Sequence, residues 1–234
     1  AIIALPLGVL AARNPRLRWV SLSLAGLVQT IPSLALLALF FPLLLLLSGL
    51  SLRLTGHGFS ALGFLPSLLA LTLYSMLPIL RNTAAGLGGV DPAVVEAARG
   101  VGMTDNQRLW RVELPLALPV IMAGVRTAAV WTIGAATLST PVGQTSLGDY
   151  IFSGLQTEDW VAVLVGCAAS AGLALTVDQM LGLIESGVGR RDRRLWIAGL
   201  AGLAIGLVAA LAPLATAALQ SGPPAYVIGA KNFS

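Results

Sequence analysis

Few of the 234 side chains in this sequence are of types that carry chemistry, and most of those stand alone. The single histidine, His57, lies in a short polar connection (Thr55–Ser60) without companion ligands, so it reads as a solvated loop residue and no metal site is expected. Cys167 is the only cysteine, which excludes an internal disulfide, and its apolar setting reads as that of a small packed residue. A phosphate-cradling loop of the G-x-x-x-x-G-K-[ST] kind needs a lysine followed by a hydroxyl residue, and the sole lysine, Lys231, precedes Asn232. The chain is thus not expected to hydrolyse ATP by itself. No nucleophile–base pair, metal cluster or cofactor fingerprint points to an enzyme.

Two charges are placed where chemistry or structure must account for them. Arg126 and Asp178 each sit inside a long apolar segment, at roughly 15 Å from the same end when counted at about 1.5 Å per residue. An ionisable group at such depth in a membrane is costly unless paired or wetted. Equal depth and opposite sign predict a pair, either holding helices together or lining a path.

A third cluster lies outside the apolar segments, over residues 87–115. Asp91-Pro92 is a helix start, with Asp as cap acceptor and Pro at the first helical position. A short helix over Ala93–Arg99 follows, ended by Gly100 or Gly102 in the left-handed conformation. Thr104 with Gln107 forms a capping box opening a second short helix to about Glu113, before Leu114-Pro115 enter the next apolar run. Two short polar helices at a glycine elbow suit docking into a partner's groove, or a stiff connector covering helix ends.

The elements that must position these residues follow from composition. The chain is 56% hydrophobic and 10% charged, with a mean hydropathy of +0.87, against about 45–50% and about 25% in soluble domains. Five segments reach the ~20 apolar residues a spanning helix needs: about 19–48, 62–86, 114–138, 160–186 and 195–219. The run at 1–12 is too short to span alone and reads as the second half of a truncated first helix. We expect an all-α polytopic membrane bundle of five complete spans plus that partial one. Pro32, Pro42 and Pro78 are expected kinks.

Arginines orient the bundle. Arg13, Arg16 and Arg18, then Arg81, Arg99, Arg108 and Arg111, then Arg190, Arg191, Arg193 and Arg194 make eleven of the fourteen Lys and Arg. If each segment crosses once, these connections share a side, the cytoplasmic one by the positive-inside rule. The elbow is then cytoplasmic, and residues 49–61, 139–159 and the C-terminus lie outside. The basic pI of about 10.0 reflects topology and implies no nucleic-acid partner.

The elbow also resembles a known motif. Glu96-Ala97-Ala98, then Gly102, Val112 and Leu114-Pro115, match at every fixed spacing the EAA motif of bacterial ABC-importer permeases. That resemblance implies the fold of a type I importer permease in the bacterial cytoplasmic membrane. It implies that Glu96 meets the ATPase surface, that Ala97 and Ala98 permit close approach and that Gly102 makes the turn. The partners it implies are a cytoplasmic ABC ATPase dimer, which carries ATP and Mg, and a second copy of this chain.

Gln29–Ser33, Leu77–Thr83 and Gly124–Ala128 are similar to the osmoprotectant branch, the permeases for glycine betaine, choline and carnitine. A different small solute, such as an amino acid or a trimethylammonium-type antioxidant, is the alternative; an ATP-independent secondary transporter would show several buried carboxylates. The outer loop keeps only the ends of that branch's glycine-rich turn, at Gly143 and Gly148. We divide the chain into a permease domain (1–190), an additional membrane helix (191–220), and a linker with the start of an extracellular substrate-binding domain (221–234), whether fused or separate, since Tyr226–Ser234 is similar to the opening of such domains; a disordered tail is the alternative.

Overall fold

A computed structural model of the chain describes residues 1–58, 60, 63–190 and 192–219, and every regular element among them is helical. In chain order these are α1 (Ala4–Arg13), α2 (Pro15–Thr30), α3 (Ser33–Thr55), α4 (Phe64–Gly88), α5 (Pro92–Gly100), α6 (Asp105–Arg108), α7 (Leu114–Ala136), α8 (Gly148–Thr157), α9 (Trp160–Gly189) and α10 (Arg193–Leu219). A π-helical turn, Leu109–Glu113, joins α6 to α7, and a 3-10 turn, Thr137–Val142, follows α7. Among the described residues five stretches are long and apolar enough to cross a membrane: Ser33–Leu54, Phe64–Gly88, Asp105–Val142, Trp160–Gly189 and Arg193–Ala212. The linker and domain start expected over 221–234 lie outside the described residues.

One expected span is two helices. The apolar run 19–48 breaks at Ile31-Pro32, between α2 and α3. Pro32 has no N–H to continue the ladder, and its ring drives Ile31 to extended backbone, φ −79° and ψ 125°. Tyr74 of α4 braces the break: its hydroxyl donates to the Ile31 carbonyl at 2.8 Å, and its carbonyl accepts from the Gln29 side chain, Nε2, at 3.0 Å. The two helices still carry the chain from one end of the bundle to the other. At the α1–α2 turn, Arg13 Nη2 donates to the Asp105 carbonyl (3.0 Å), whereas beyond α3 the Gly63 N–H donates to the Val142 carbonyl (2.9 Å). Between Asp105 and Val142 runs the whole of α7.

α4 is the central helix, and glycines set how closely others approach it. α1 crosses at Gly8, where a Cβ would meet the Thr83 side chain; α7 crosses at Gly124, where a Cβ would lie 2.8 Å from the Pro78 carbonyl oxygen. Gly124→Leu would therefore force α7 off α4 at an overpacking cost of about 1–3 kcal/mol. Its thermal midpoint in detergent is expected to fall, while Gly134→Leu on the same helix, which faces open space, leaves the midpoint in place.

The connection over 139–159 is folded. Asp149 fastens the 3-10 turn to α8, with Oδ1 accepting from Thr140 Oγ1 (2.6 Å) and Oδ2 from the Ser146 N–H (3.3 Å). α8 then packs along α9, where Gly166 admits Tyr150 and Ile151. α10 lies back on α9, with Gly187 against Trp196, Gly199 against Ile184 and Gly202 against Met180. Cys167 corrects the sequence reading: it is exposed on α9. Hydropathy reports that α9 avoids water, but lipid or another subunit can satisfy that as well as this chain's own core.

Candidate functional site

The elbow over residues 91–108 is built almost entirely from local bonds. Asp91 Oδ1 accepts from the Ala93 N–H at 2.9 Å, and Pro92 opens α5. At the other end Gly102 takes φ +80°. Its N–H donates to the Arg99 carbonyl at 2.9 Å, and the Met103 N–H reaches the Ala98 carbonyl at 3.1 Å. Those two bonds form the glycine-terminated cap that closes a helix and turns the chain. Thr104 and Gln107 then exchange the reciprocal bonds of a capping box, 3.0 and 3.3 Å. Removing the hydroxyl in Thr104→Ala should cost about 1 kcal/mol locally. Amide hydrogen exchange at residues 105–108 is expected to quicken while that of α4 stays unchanged.

α6 is not a separate helix ending at Glu113, as its spacing predicts. It runs through the π turn into α7, with the Leu114 N–H bonded to the Leu109 carbonyl five residues back. Pro115 explains the widening, since it lacks an N–H and its ring crowds the carbonyl four residues before it. Arg108, 8% exposed, bonds Asp105 at 2.8 Å and Glu113 through its Nε. With Arg13 on the Asp105 carbonyl, this fastens the elbow rigidly to α7 and to the α1–α2 turn.

On the elbow's surface Glu96 and Ala97 are open, and Val101 is 75% exposed. Ala98 turns inward and is buried, so of the two alanines only Ala97 is free to meet another molecule. Leu114 is half-buried and Pro115 exposed.

Within the bundle, Arg126 of α7 and Asp178 of α9 meet face to face. Arg126 Nε donates to Asp178 Oδ1 at 3.0 Å and Nη2 to Oδ2 at 2.8 Å, a bidentate pair. Nη1 donates to Glu185 Oε2 at 2.7 Å. Glu185 is absent from the sequence reading, although it lies seven residues after Asp178, two turns along the same face of α9. Between them Gly182 leaves room for the guanidinium, since a Cβ there would lie 3.2 Å from Arg126 Cζ. All three side chains keep partial exposure, 31%, 25% and 24% in the order Arg126, Asp178 and Glu185. Arg126 and Asp178 border an open groove of 520 Å³ between α7 and α9, lined also by Thr127, Val130, Trp131 and Leu175. Among the described residues no group of three or more His, Cys, Asp or Glu could hold a metal ion.

Residues 4–190 match the family model described as "Binding-protein-dependent transport system inner membrane component". The chain is 40% identical over 184 residues to the choline transport system permease protein OpuBB of Bacillus subtilis, covering 79% of this chain and 77% of that one. It is 42% identical over 180 residues to the osmoprotectant import permease protein OsmW of Salmonella typhimurium, covering 77% and 79%. To the carnitine transport permease protein OpuCD of Listeria monocytogenes it is 43% identical over 186 residues, covering 79% and 76%. Among solved structures, an inward-facing MetNI methionine ABC transporter chain superimposes with a TM-score of 0.68 at 20% identity, covering 80% of this chain and 86% of that one, which establishes a shared fold.

Proposed function

We propose that this chain, which belongs to the family of binding-protein-dependent transport system inner membrane components, is the permease of an ATP-driven importer of quaternary amines. Choline, glycine betaine and carnitine are the cargo class, as in the names of relatives near 40% identity. One observation carries the mechanical part of the reading. The elbow presents Glu96, Ala97 and Val101 outward on a helix whose end is locked by Gly102 and whose continuation is rigid into α7. Such an element suits transmission of a rigid-body push from a docked partner into the bundle.

The partner is a separate cytoplasmic ATPase. The arginines within 13–18 and 99–111, with Arg190, Arg193 and Arg194, flank the elbow's end of the bundle, which supports a cytoplasmic setting by the positive-inside rule. Each chain supplies one elbow and two ATPase subunits close on ATP, so the working permease is a homodimer. Closure draws the two elbows together and opens the bundle outward to receive cargo from an external binding domain.

The test is uptake of labelled choline by vesicles holding the permease and its binding domain, with and without the ATPase. Uptake is expected only with both the ATPase and ATP. Uptake that persists when the ATPase is left out would overturn the reading in favour of a secondary transporter.

A further inference from the structure

The groove between α7 and α9 carries more charge than a helix contact needs. One guanidinium faces two carboxylates, Asp178 and Glu185, so the network holds a surplus negative charge within the membrane-crossing stretches. A surplus charge at such depth is costly when it faces lipid and tolerable when it faces water or a counter-ion. The three side chains are partly exposed, and the groove that Arg126 and Asp178 border is open. Trp131 lines the same groove and is 50% exposed, with Thr127 and Leu175 also on its wall. The volume, 520 Å³, falls among those of small-molecule sites.

We propose that this groove is a station on the transport path that receives the quaternary ammonium head of the cargo, with Trp131 as its aromatic face and the surplus carboxylate as its counter-charge. The proposal rests on the quaternary-amine reading above. A trimethylammonium group is a bulky, weakly hydrated cation that cannot donate hydrogen bonds, so an aromatic face and an uncompensated negative charge are what can recognise it. Arg126 is a positioning residue here. Its bidentate hold on Asp178 keeps that carboxylate on the groove wall, and Glu185, outside the wall, contributes charge through Arg126.

Charge separates this role from a structural one. A pure cation such as choline depends on the surplus negative charge, whereas zwitterionic glycine betaine brings its own carboxylate. In vesicles containing the permease, its ATPase and its binding domain, Glu185→Gln is expected to lower choline uptake about fivefold more than glycine betaine uptake. Trp131→Ala is expected to lower uptake of both about tenfold, and Trp131→Phe to retain most of it. The Trp131 pair leaves the ion network intact and decides the matter if Glu185→Gln does not fold.

An unchanged choline-to-betaine ratio in folded Glu185→Gln, or full uptake in Trp131→Ala, overturns the station. Phosphatidylcholine headgroups share this chemistry, so the vesicles are made both without and with that lipid; variant effects seen only with it overturn the proposal in favour of a lipid site. If the unaltered protein imports neither compound, the quaternary-amine reading itself fails.

Discussion

A Gly102→Val protein is expected to reach the membrane, pack its bundle and transport nothing. Gly102 sits at φ +80°, and its N–H and that of Met103 close the end of α5 on the Arg99 and Ala98 carbonyls. A β-branched residue in that conformation is strained by about 1–2 kcal/mol or more. The elbow relieves the strain by swinging α5 out of register with α6. Space is not the obstacle, because a Cβ at 102 would meet nothing within 4 Å. Asparagine tolerates the left-handed conformation, so Gly102→Asn is expected to keep most of the uptake that valine destroys.

That contrast distinguishes backbone geometry from lost contact. Glu96→Lys gives the complementary arm, since Glu96 is exposed and its reversal alters the docking face without touching the fold. Both Gly102→Val and Glu96→Lys should cut ATP-driven uptake to background while the external domain binds cargo as before. Full uptake in either variant would mean that the elbow does not couple to the ATPase.

How legible these features were in the sequence depends on the range of the interactions that build them. The caps at Asp91 and Thr104–Gln107 use side chains bonded to backbone within three residues, so spacing alone locates them. The all-helical bundle follows from hydropathy. The break at Pro32 was readable only as a kink, because the apolar run continues through it and the bonds that stabilise it come from Tyr74, more than 40 residues away. Likewise the π turn reflects a compromise between Pro115 and the anchored Arg108, which no short window of sequence exposes. Cys167 lies in its expected span but outside this chain's own core, because hydropathy cannot say whether an apolar face meets its own chain or something else. Depth and sign together were enough to bring Arg126 and Asp178 into one frame. They were not enough to find Glu185, which lies nearer the end of its span and is joined to the pair by helical periodicity.

The ion network should behave differently when one member is removed than when all are. Arg126→Met leaves Asp178 and Glu185 two turns apart along one face of α9 with no cation to bridge them. Taking one partner from a buried pair costs about 3–5 kcal/mol, and partial exposure here argues for the lower end, about 3 kcal/mol. The detergent-solubilised protein is expected to melt well below the native midpoint. Replacing the whole network, in Arg126→Met with Asp178→Leu and Glu185→Leu, removes both the attraction and its desolvation cost, and is expected to restore the midpoint. Transport should not return with it. A network kept only as glue between α7 and α9 would be replaceable by apolar packing with uptake intact. One that also presents charge to a passing cation would not, and choline uptake by the triple variant separates the two.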